Sequence, residues 1–539
     1  MKPRSRRQNS AAPVLLANQE RLSRILLGLA LLSGVAFMAP VLRAGPLALD
    51  EHGTYWLAGP SNPSTMWHRS QHYENIPPLA PAVQRLFLAV FGESELVFRL
   101  PGILCYLGAI VAAWYLGRDL ADSGPESPVS GEGPAIGGLT ALLLAWRPFV
   151  VGEVRVARVY GFSLLLATLA FWAAVRWLRE PESRRWAALW TVCAVGMLWT
   201  HYLNGLVVIL QFLVLLQLTF CDRVATKLFF FSCCVVAIGG YPLLPAVLRM
   251  AEDGQYFNFQ NDLPFWYDIS HVWWFGLPGG WLAARLVDRF WRRRGGQDSP
   301  STILAGGRLP LHLLIWGVLP VLLVPVVCTG SLTSLANPRY RIGFAAPGAC
   351  VIAWLVVRNV RWVPALLGVA VTLGLTAGLA DVPPWKLKRL GSRQAKEWRH
   401  AARLIEEKGN EDEPLFVQSG LGEGFLIPRF FEDPLFHDFT ACRLGRFYLK
   451  RPHRRLALPF LWGSDSEMPD YFRRQVEACR ETTSRSLWLV CATDTDLNRL
   501  SMEGMQRIIR RAGGQELERH RFNTLLMVRY SLAPMEDGE

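Results

Sequence analysis

The 539-residue sequence has little charge for its length. Asp, Glu, Lys and Arg make up 19% of it, whereas an average soluble protein has about 25% charged residues. It has no CxxC pair and no cluster of His and Cys, which argues against a zinc site and a disulfide-stapled scaffold. Its 21 Trp and 28 Phe exclude a disordered chain. Because the apolar residues concentrate in runs before about residue 380, the sequence predicts an integral membrane protein with a water-soluble tail.

The positive charge is confined to one part of the chain. Residues 1–380 contain 31 Lys and Arg against 20 Asp and Glu, whereas residues 381–539 contain 26 against 24, which gives the net charge of +13. A basic excess in the loops of a membrane protein fixes its orientation. Nucleic-acid binding is therefore not needed to explain it.

Eleven apolar runs predict membrane-spanning helices, which need about 20 mostly apolar residues each. The first run lacks a small-residue cleavage site, and we interpret it as a retained anchor. The predicted spans are 25–42, 96–117, 135–151, 162–178, 186–200, 203–220, 228–248, 265–284, 309–329, 342–357 and 363–380.

The positions of Lys and Arg predict the orientation of these spans. With a cytoplasmic N-terminus, 21 of the 31 basic residues before residue 381 lie on the cytoplasmic side. The odd number of spans then places the tail outside the cytoplasm, and 43–95 becomes the first outer loop. We expect a multi-pass protein of the cytoplasmic membrane with a cytoplasmic segment at 1–24, a transmembrane domain at 25–380 and an extra-cytoplasmic domain at 381–539.

The tail alternates strand-like and helix-like stretches, which predicts a small α/β domain. The strands are predicted at 416–418, 486–491 and 524–530, and the helices at 392–408, 467–482 and 500–513. The glycine-rich stretch 419–424 follows a strand, but we interpret it as a plain loop and not as a phosphate-binding loop. The basic run 451–455 predicts a solvated or headgroup-facing surface.

Acidic residues mark two places in the first outer loop, and ionisable groups close to membrane depth tend to be functional. Asp50 and Glu51 directly follow the first span, although acids at such a place also cap helices. Glu74 precedes Pro77 and Pro78, which fix the backbone and could hold its carboxylate rigidly. The alternative for Glu74 is an ordinary turn before an interfacial helix.

Basic and aromatic residues mark three further places on the predicted outer side. They are Arg155, Arg158 and Tyr160 between the third and fourth spans, His201 after the fifth, and Arg339 and Tyr340 before the tenth. Guanidinium groups bind phosphate in a bidentate manner, and two arginines three residues apart share a helix face. The structural alternative is that interfacial Arg and Tyr snorkel to the membrane surface, and that a lone His beside an aromatic residue is structural.

The motifs follow one another in a particular order. The acidic pair is followed by Glu74-x-x-Pro-Pro-Leu, by 91–101 at the start of the second span, and by 157–160, 200–202 and 338–340. This order resembles that of the GT-C superfamily of polytopic glycosyltransferases. The likeness covers about residues 25–380 and is closest to bacterial members of the protein-mannosyltransferase group (family 39) and to related rhizobial lipopolysaccharide sugar transferases.

The resemblance implies a mainly α-helical membrane fold, with juxtamembrane helices in the first outer loop, and a sugar donor carried on a polyprenyl phosphate. It implies that Asp50 matches the family's first-loop acid and that Glu74 matches the acid before Pro-Pro. Ile76 stands where many relatives have His, and no Lys occupies the phosphate-contacting place. Donor binding therefore shifts to Arg158 and Arg339.

We expect a glycosyltransferase that moves a hexosyl or pentosyl group, with inversion, from a polyprenyl phosphate to a protein, lipid or glycan acceptor. Asp50 is the candidate base, and Glu51 or Glu74 is its partner or orienter. The residues expected to bind the donor phosphate are Arg158, Arg339, Tyr160 and Arg155. His201 and Tyr340 are expected to support them. No cofactor is required; paired carboxylates suit Mg²⁺ or Mn²⁺, but we do not expect such a cation to be essential.

Two other classes of protein remain open. A transporter or lipid flippase would place charges near the bilayer midplane on broken helices, often in internal repeats, whereas these charges are predicted at the outer interface. A non-catalytic membrane scaffold that displays the tail would leave the acidic first loop unexplained.

Overall fold

The computed structural model describes residues 11–42, 45–59, 62–74, 76–121, 132–253, 311–320, 338–359, 393–418, 431, 433–459, 468–481, 484–493 and 496–532. The chain divides into two compact units. The first comprises Met1–Leu42, Arg99–Leu248 and Asn258–Leu387, and the second comprises Arg43–Phe98, Arg249–Phe257 and Lys388–Glu539. The predicted first outer loop, 43–95, therefore groups with the tail. The predicted domain boundaries at 24 and 380 follow membrane spans and not these contacts, and they stay a prediction.

Helices dominate the described part of the chain. In chain order they are α1 (Ala11–Leu42), α2 (Leu49–Ala58), α3 (Pro63–His72), α4 (Leu79–Phe91), α5 (Glu95–Ala121), α6 (Glu132–Ala145), α7 (Pro148–Val154), α8 (Tyr160–Arg179), α9 (Arg184–Leu198), α10 (Gly205–Leu215), α11 (Arg223–Gly240), α12 (Leu244–Asp253), α13 (Ala345–Asn359), α14 (Arg393–Lys408), α15 (Pro434–Thr440), α16 (Met468–Ala478) and α17 (Asp496–Arg511). A short helical stretch at Leu311–Leu313 continues as a π-helix at Leu314–Val318, and 3₁₀ turns occupy Tyr202–Asn204, Leu216–Phe220, Tyr241–Leu243, Pro338–Phe344, Cys442–Leu444 and Cys479–Glu481.

Within the described residues, six helical stretches are long and apolar enough to cross a membrane. They are Gln19–Val41, Glu95–Leu120, Tyr160–Arg179, Tyr202–Phe220, Arg223–Arg249 and Arg339–Val357. A seventh crossing exists if the bent pair Gly133–Ala145 and Pro148–Val154, whose axes meet at 59°, counts as one span. The bend falls at Pro148, because proline disfavours a helical residue before it and Arg147 accordingly has an extended backbone (ψ 111°).

These crossings coincide with most of the predicted spans. The run predicted as one straight span at 135–151 is the bent pair, and the run at 186–200 is the 15-residue helix α9. The predicted spans 265–284 and 363–380, and most of 309–329, lie outside the described residues, so the count of eleven stays a prediction. A mainly helical membrane fold with a small C-terminal sheet is confirmed.

Small residues allow the helices of the first unit to approach closely. At the contact of α5 and α6, a Cβ atom added to Gly137 would lie 2.6 Å from the carbonyl oxygen of Trp114. At the contact of α8 and α5, a Cβ atom on Gly161 would collide with the backbone of Gly102. Membrane helices often pack through such small residues. The second contact fixes the start of α8, where Tyr160 lies.

The second unit contains a five-stranded sheet with the strand order β2-β1-β3-β5-β4. Its strands are β1 (Leu415–Gln418), β2 (Arg455–Ala457), β3 (Ser486–Ala492), β4 (Gly514–Arg521) and β5 (Leu525–Leu532). The strands β2, β1 and β3 are parallel, whereas β5 is antiparallel to both β3 and β4. The apolar strands β1 and β3 are buried along their whole length, as is typical of central parallel strands. The edge strand β4 is charged and largely exposed, which discourages edge-to-edge pairing.

One buried acid joins the central strands of this sheet. Glu413, just before β1, accepts hydrogen bonds from Ser486 Oγ (2.6 Å) and Trp488 Nε1 (2.7 Å) on β3. It also forms an ion pair with Arg529 on β5. Because a carboxylate that is fully buried needs such partners, Glu413 fixes β1 relative to β3 and β5.

The tail prediction was correct for the strands β1, β3 and β5 and for the helices α14, α16 and α17. It missed β2 and β4. The prediction that the run 451–455 is a solvated surface is wrong for two of its residues: His453 is buried, and Arg455 lies on β2 in an ion pair with Asp438. The glycine-rich stretch 419–424 lies outside the described residues.

Candidate active site

The first acidic pair lies in the first turn of α2. The chain enters this helix through Ala48, whose backbone is extended, and the Oε2 atom of Glu51 accepts a hydrogen bond from the Ala48 N–H at 2.7 Å. A carboxylate at this position satisfies one of the backbone donors that every helix start leaves unpaired. The capping alternative therefore applies to Glu51, which is fully buried, while Asp50 lies half-buried beside it.

The second acid lies against the same helix. Glu74 is buried, and its Oε2 atom is so close to α2 that a Cβ atom added to Gly53 would lie 3.0 Å from it. Gly53 is three residues beyond Asp50, and residues three apart are neighbours on a helix surface. The carboxylate of Glu74 therefore lies beside Gly53, which follows Asp50 by about one helical turn. The separation of Asp50 and Glu74 by 24 residues in the sequence gave no indication of this proximity.

A turn holds Glu74 in this place. The carbonyl oxygen of Glu74 accepts a hydrogen bond from the Ile76 N–H (2.8 Å), and the carbonyl oxygen of Ile76 accepts one from Ser70 Oγ (2.8 Å). Ile76 is buried, and Pro77 and Pro78 then lead into α4. The predicted rigid backbone and the predicted ordinary turn are therefore the same feature.

A cation and aromatic cluster forms around His201 in the first unit. The imidazole of His201 stacks near Tyr160, with 6.4 Å between ring centroids, and contacts Tyr340 at 5.3 Å. Arg339 lies over the ring of Tyr340 at 4.9 Å and donates a hydrogen bond to its hydroxyl at 2.9 Å. Three segments that are far apart in sequence, at 158–160, 200–202 and 338–341, therefore meet here.

The charges of two arginines, Arg158 and Arg339, act on His201 in this cluster. Burial, and then the positive charges of Arg158 and Arg339, together lower the pKa of His201 to about 3. His201 is therefore a neutral imidazole at physiological pH. Its Nδ1 atom accepts a hydrogen bond from the Leu203 N–H at 3.1 Å, which leaves Nε2 as the protonated nitrogen.

Arg155 does not point to this cluster. Its Nε atom donates a hydrogen bond to the carbonyl oxygen of Phe37 near the end of α1 at 2.8 Å, and its Nη2 donates to the same oxygen. The side chain is buried, so this arginine ties the segment after α7 to α1. Its predicted contact with the donor phosphate stays a prediction.

Sequence reasoning missed a set of tail residues that contact α2. Trp56 Nε1 donates to Asp438 at 2.7 Å, and the Leu47 N–H donates to the Tyr448 hydroxyl at 2.8 Å. The only signal was indirect: the first outer loop is rich in aromatic residues that need a surface to pack against. Within the described residues, no group of three or more His, Cys, Asp or Glu could hold a metal ion. The prediction that a divalent cation can bind but is not essential stays a prediction.

Comparisons with known proteins agree with this architecture. A family model described as dolichyl-phosphate-mannose-protein mannosyltransferase matches residues 75–239, which include Arg158, Tyr160 and His201. No curated protein matches the chain.

Similar solved structures cover almost the whole chain. ArnT from Cupriavidus metallidurans bound to undecaprenyl phosphate has a TM-score of 0.56 and 14% identity over 94% of this chain and 97% of that one. Its apo structure has a TM-score of 0.54 and 13% identity over 96% and 98%. Archaeal oligosaccharyltransferase AglB from Archaeoglobus fulgidus, in complex with an inhibitory peptide and a dolichol-phosphate, has a TM-score of 0.51 and 11% identity over 96% and 75%.

These similarities show the fold. The chain has the fold of polytopic GT-C glycosyltransferases, and the resemblance drawn from the order of the motifs is confirmed. The multi-pass membrane character follows from the same fold and from the apolar helices.

Proposed function

We propose that the protein is an inverting glycosyltransferase that takes a sugar from a polyprenyl phosphate on the outer side of the cytoplasmic membrane. The observation that carries this proposal is the placement of the buried Glu74 carboxylate against α2, one turn from Asp50. The similar ArnT and AglB structures contain undecaprenyl phosphate and dolichol-phosphate, which supports a donor of this chemical class.

The proposed reaction is a single displacement. A hydroxyl oxygen of the acceptor attacks the anomeric carbon, the bond from that carbon to the phosphate oxygen breaks, and the electron pair leaves with the lipid phosphate. Asp50 accepts the proton of the acceptor hydroxyl. Attack opposite to the leaving phosphate inverts the anomeric centre. Glu51 holds the helix start on which Asp50 lies, and Glu74 orients Asp50 from the neighbouring turn.

The leaving phosphate gains negative charge as the bond breaks, so cations must stabilise it. We propose that Arg158 and Arg339 perform this role, because both are close enough to His201 to lower its pKa. Tyr340 holds Arg339 in place by a ring contact and a hydrogen bond, and the rings of His201 and Tyr160 pack in turn against Tyr340 and His201. Because His201 is neutral, its Nε2–H group adds a hydrogen-bond donor, and its charge does not change near physiological pH. The paired carboxylates Asp50 and Glu74 are suitable oxygen ligands for Mg²⁺ or Mn²⁺, and no step depends on such an ion.

The test is turnover by the full-length protein in detergent or nanodiscs, with a panel of radiolabelled polyprenyl-phosphate hexoses and pentoses. The expected products are free polyprenyl phosphate and a glycosylated acceptor. Asp50→Asn keeps the size of the side chain but removes the base, so turnover should fall by about 10²–10⁴-fold. The matched control is Asp470→Asn, which changes an exposed tail carboxylate and should leave turnover unchanged.

Two results would contradict the proposal. Movement of the donor lipid across the bilayer without release of polyprenyl phosphate would identify a flippase. Normal turnover in both Asp50→Asn and Glu74→Gln would remove the acids from the mechanism. The sugar and the acceptor would follow from mass spectrometry of envelope glycans in a deletion strain.

A further inference from the structure

The tail contacts the beginning of α2 through Tyr448. The Tyr448 hydroxyl accepts a hydrogen bond from the Leu47 N–H at 2.8 Å and donates one to Glu95 Oε1 at 3.3 Å. Its ring lies edge-on to His52, with 5.3 Å between ring centroids. One side chain of the tail thus fixes the residue just before the helix cap and one residue of the first turn.

The tail contacts the end of α2 through Asp438. One carboxylate oxygen accepts a hydrogen bond from Trp56 Nε1 at 2.7 Å, and the other forms an ion pair with Arg455 on β2. Arg69 adds a second clamp, since it lies 4.0 Å above the Trp56 ring and donates to the Trp56 carbonyl oxygen at 2.5 Å. The indole is buried, so its N–H group needs this acceptor.

Further contacts surround the same helix. The ring of Tyr55 lies edge-on to Phe447 at 4.9 Å, and its hydroxyl donates to Glu93, which also pairs with Lys450 at 2.7 Å. Burial alone would raise the pKa of Glu93, but the hydrogen bonds from Lys450 and Tyr55 lower it below its usual value. Glu93 is therefore a charged link between the first loop and the tail.

The contacts with the tail and the proposed base Asp50 lie on different faces of α2. His52, Tyr55 and Trp56 are spaced as i, i+3 and i+4, so they form one face, and this face packs against the tail. At 100° per residue, Asp50 lies on the opposite face. The tail thus contacts the face of α2 opposite to Asp50, and its described contacts do not cover the face on which Asp50 lies.

We propose that the tail segment Asp433–Lys450 is part of the transferase machinery, in which Tyr448 and Asp438 are positioning residues for the helix that carries Asp50. The inference rests on the proposed function. A ten-residue helix is only marginally stable alone, so its direction must come from tertiary contacts. Misplacing a reacting group by about 1 Å can cost on the order of 10²-fold in rate, even when the change lies away from the chemistry.

The experiment compares small side-chain changes in the full-length protein. Tyr448→Phe removes only the hydroxyl, so kcat should fall about tenfold or more while KM for the donor lipid stays the same. Asp438→Ala should have a similar effect. Asp438→Asn keeps an acceptor for the Trp56 indole, and it should restore most of the activity that Asp438→Ala loses.

Two control variants separate positioning from the stability of the tail. Tyr530→Phe is the same substitution at a buried residue of the sheet whose hydroxyl has no hydrogen-bond partner among the described residues, and it should leave kcat unchanged. Ser486→Ala weakens the tail at Glu413, away from α2. If Ser486→Ala lowers kcat as much as Tyr448→Phe, general stability explains the effect and the positioning role is wrong.

A second measurement does not depend on activity. Hydrogen–deuterium exchange of peptides covering 47–58 should become faster in Tyr448→Phe, whereas exchange of β3 should not change. Unchanged exchange at 47–58 would overturn the inference, whatever the activity. If the wild-type protein transfers no sugar, the proposed function fails, and faster exchange would still show that the tail holds α2.

Discussion

The carboxylate of Glu74 touches the backbone of α2 at Gly53: a Cβ atom added there would lie 3.0 Å from Glu74 Oε2 and 3.6 Å from Glu74 Cδ. The absence of a side chain at position 53 is what lets this acid approach the helix that carries Asp50. Glu74 cannot easily move away, because it is buried and followed by the turn at Ile76. Steric pressure at Gly53 should therefore act directly on the proposed orienting acid.

Gly53→Ala tests this relationship. Alanine normally stabilises a helix relative to glycine by about 0.5–1 kcal/mol, so α2 itself should not be weakened. The added methyl group should displace the Glu74 carboxylate by a few tenths of an ångström and lower turnover. The control is Gly28→Ala, since a Cβ atom at Gly28 meets no atom within 4 Å. Equal turnover in Gly53→Ala and the wild type would mean that the position of Glu74 does not matter for the reaction.

The acids illustrate what the sequence could and could not predict. Their place near the predicted membrane surface predicted that Asp50, Glu51 and Glu74 are catalytic residues, with helix capping as the alternative for the first two. Glu51 does cap its helix. The proximity of Glu74 to Gly53 depends on how a loop folds back on a helix, and no periodic pattern encodes that. The clamp from Asp438 and Tyr448 depends on contacts across more than 380 residues, so local reasoning had no access to it.

The cation cluster shows the same division. Residue types and loop positions predicted that Arg158 and Arg339 bind the donor phosphate and that His201 supports them. The structure brings these three residues together. The same reasoning grouped Arg155 with Arg158, because two arginines three residues apart share a helix face. The backbone turn at Val156, whose carbonyl oxygen accepts from the Arg158 N–H at 2.7 Å, separates them, and Arg155 binds the carbonyl of Phe37 instead.

The depressed pKa of His201 predicts how stability depends on pH. The unfolded imidazole has a pKa of about 6.5, whereas burial and the nearby arginines lower the folded value to about 3. Below pH 6.5 the unfolded state binds a proton that the folded state does not, so His201 makes stability fall as the pH drops toward 3. His201→Gln removes this contribution. The difference in thermal unfolding temperature between wild type and variant should therefore change between pH 7.5 and pH 5, in favour of the variant at pH 5.

A constant difference between the two proteins across this range would mean that His201 titrates normally. The comparison with the variant is essential, because other groups also titrate between pH 5 and pH 7.5. Fluorescence-detected unfolding in one detergent and at one ionic strength supplies the measurement.

Topology is predicted by the distribution of Lys and Arg. Single cysteines introduced at Ser64 and Glu411, both exposed residues of the second unit, should react with a membrane-impermeant maleimide from the outside of intact cells. A cysteine at Glu182, between α8 and α9, should react only after the cells are opened. The native cysteines supply the background and are subtracted with the unmodified protein. Labelling of position 64 only in opened cells would place the proposed catalytic acids in the cytoplasm, where the proposed outer-side reaction could not occur.

Arg339→Lys tests the proposed phosphate site. Arg339 presents a planar guanidinium group that lies over Tyr340 and donates to its hydroxyl, close to His201. Lysine keeps the positive charge but loses the fork that can hold two phosphate oxygens at once. Because a charge-assisted hydrogen bond contributes about 1.5–3 kcal/mol, affinity for polyprenyl phosphate should fall by roughly 10-fold to 100-fold. The unfolding temperature should change little, since the charge and the aliphatic stem of the side chain remain.

The matched control is Arg403→Lys, which changes an exposed arginine on α14 and should leave lipid binding as in the wild type. Native mass spectrometry with polyprenyl phosphate measures both variants. Equal lipid affinity in Arg339→Lys and Arg403→Lys would assign phosphate binding to residues other than Arg339.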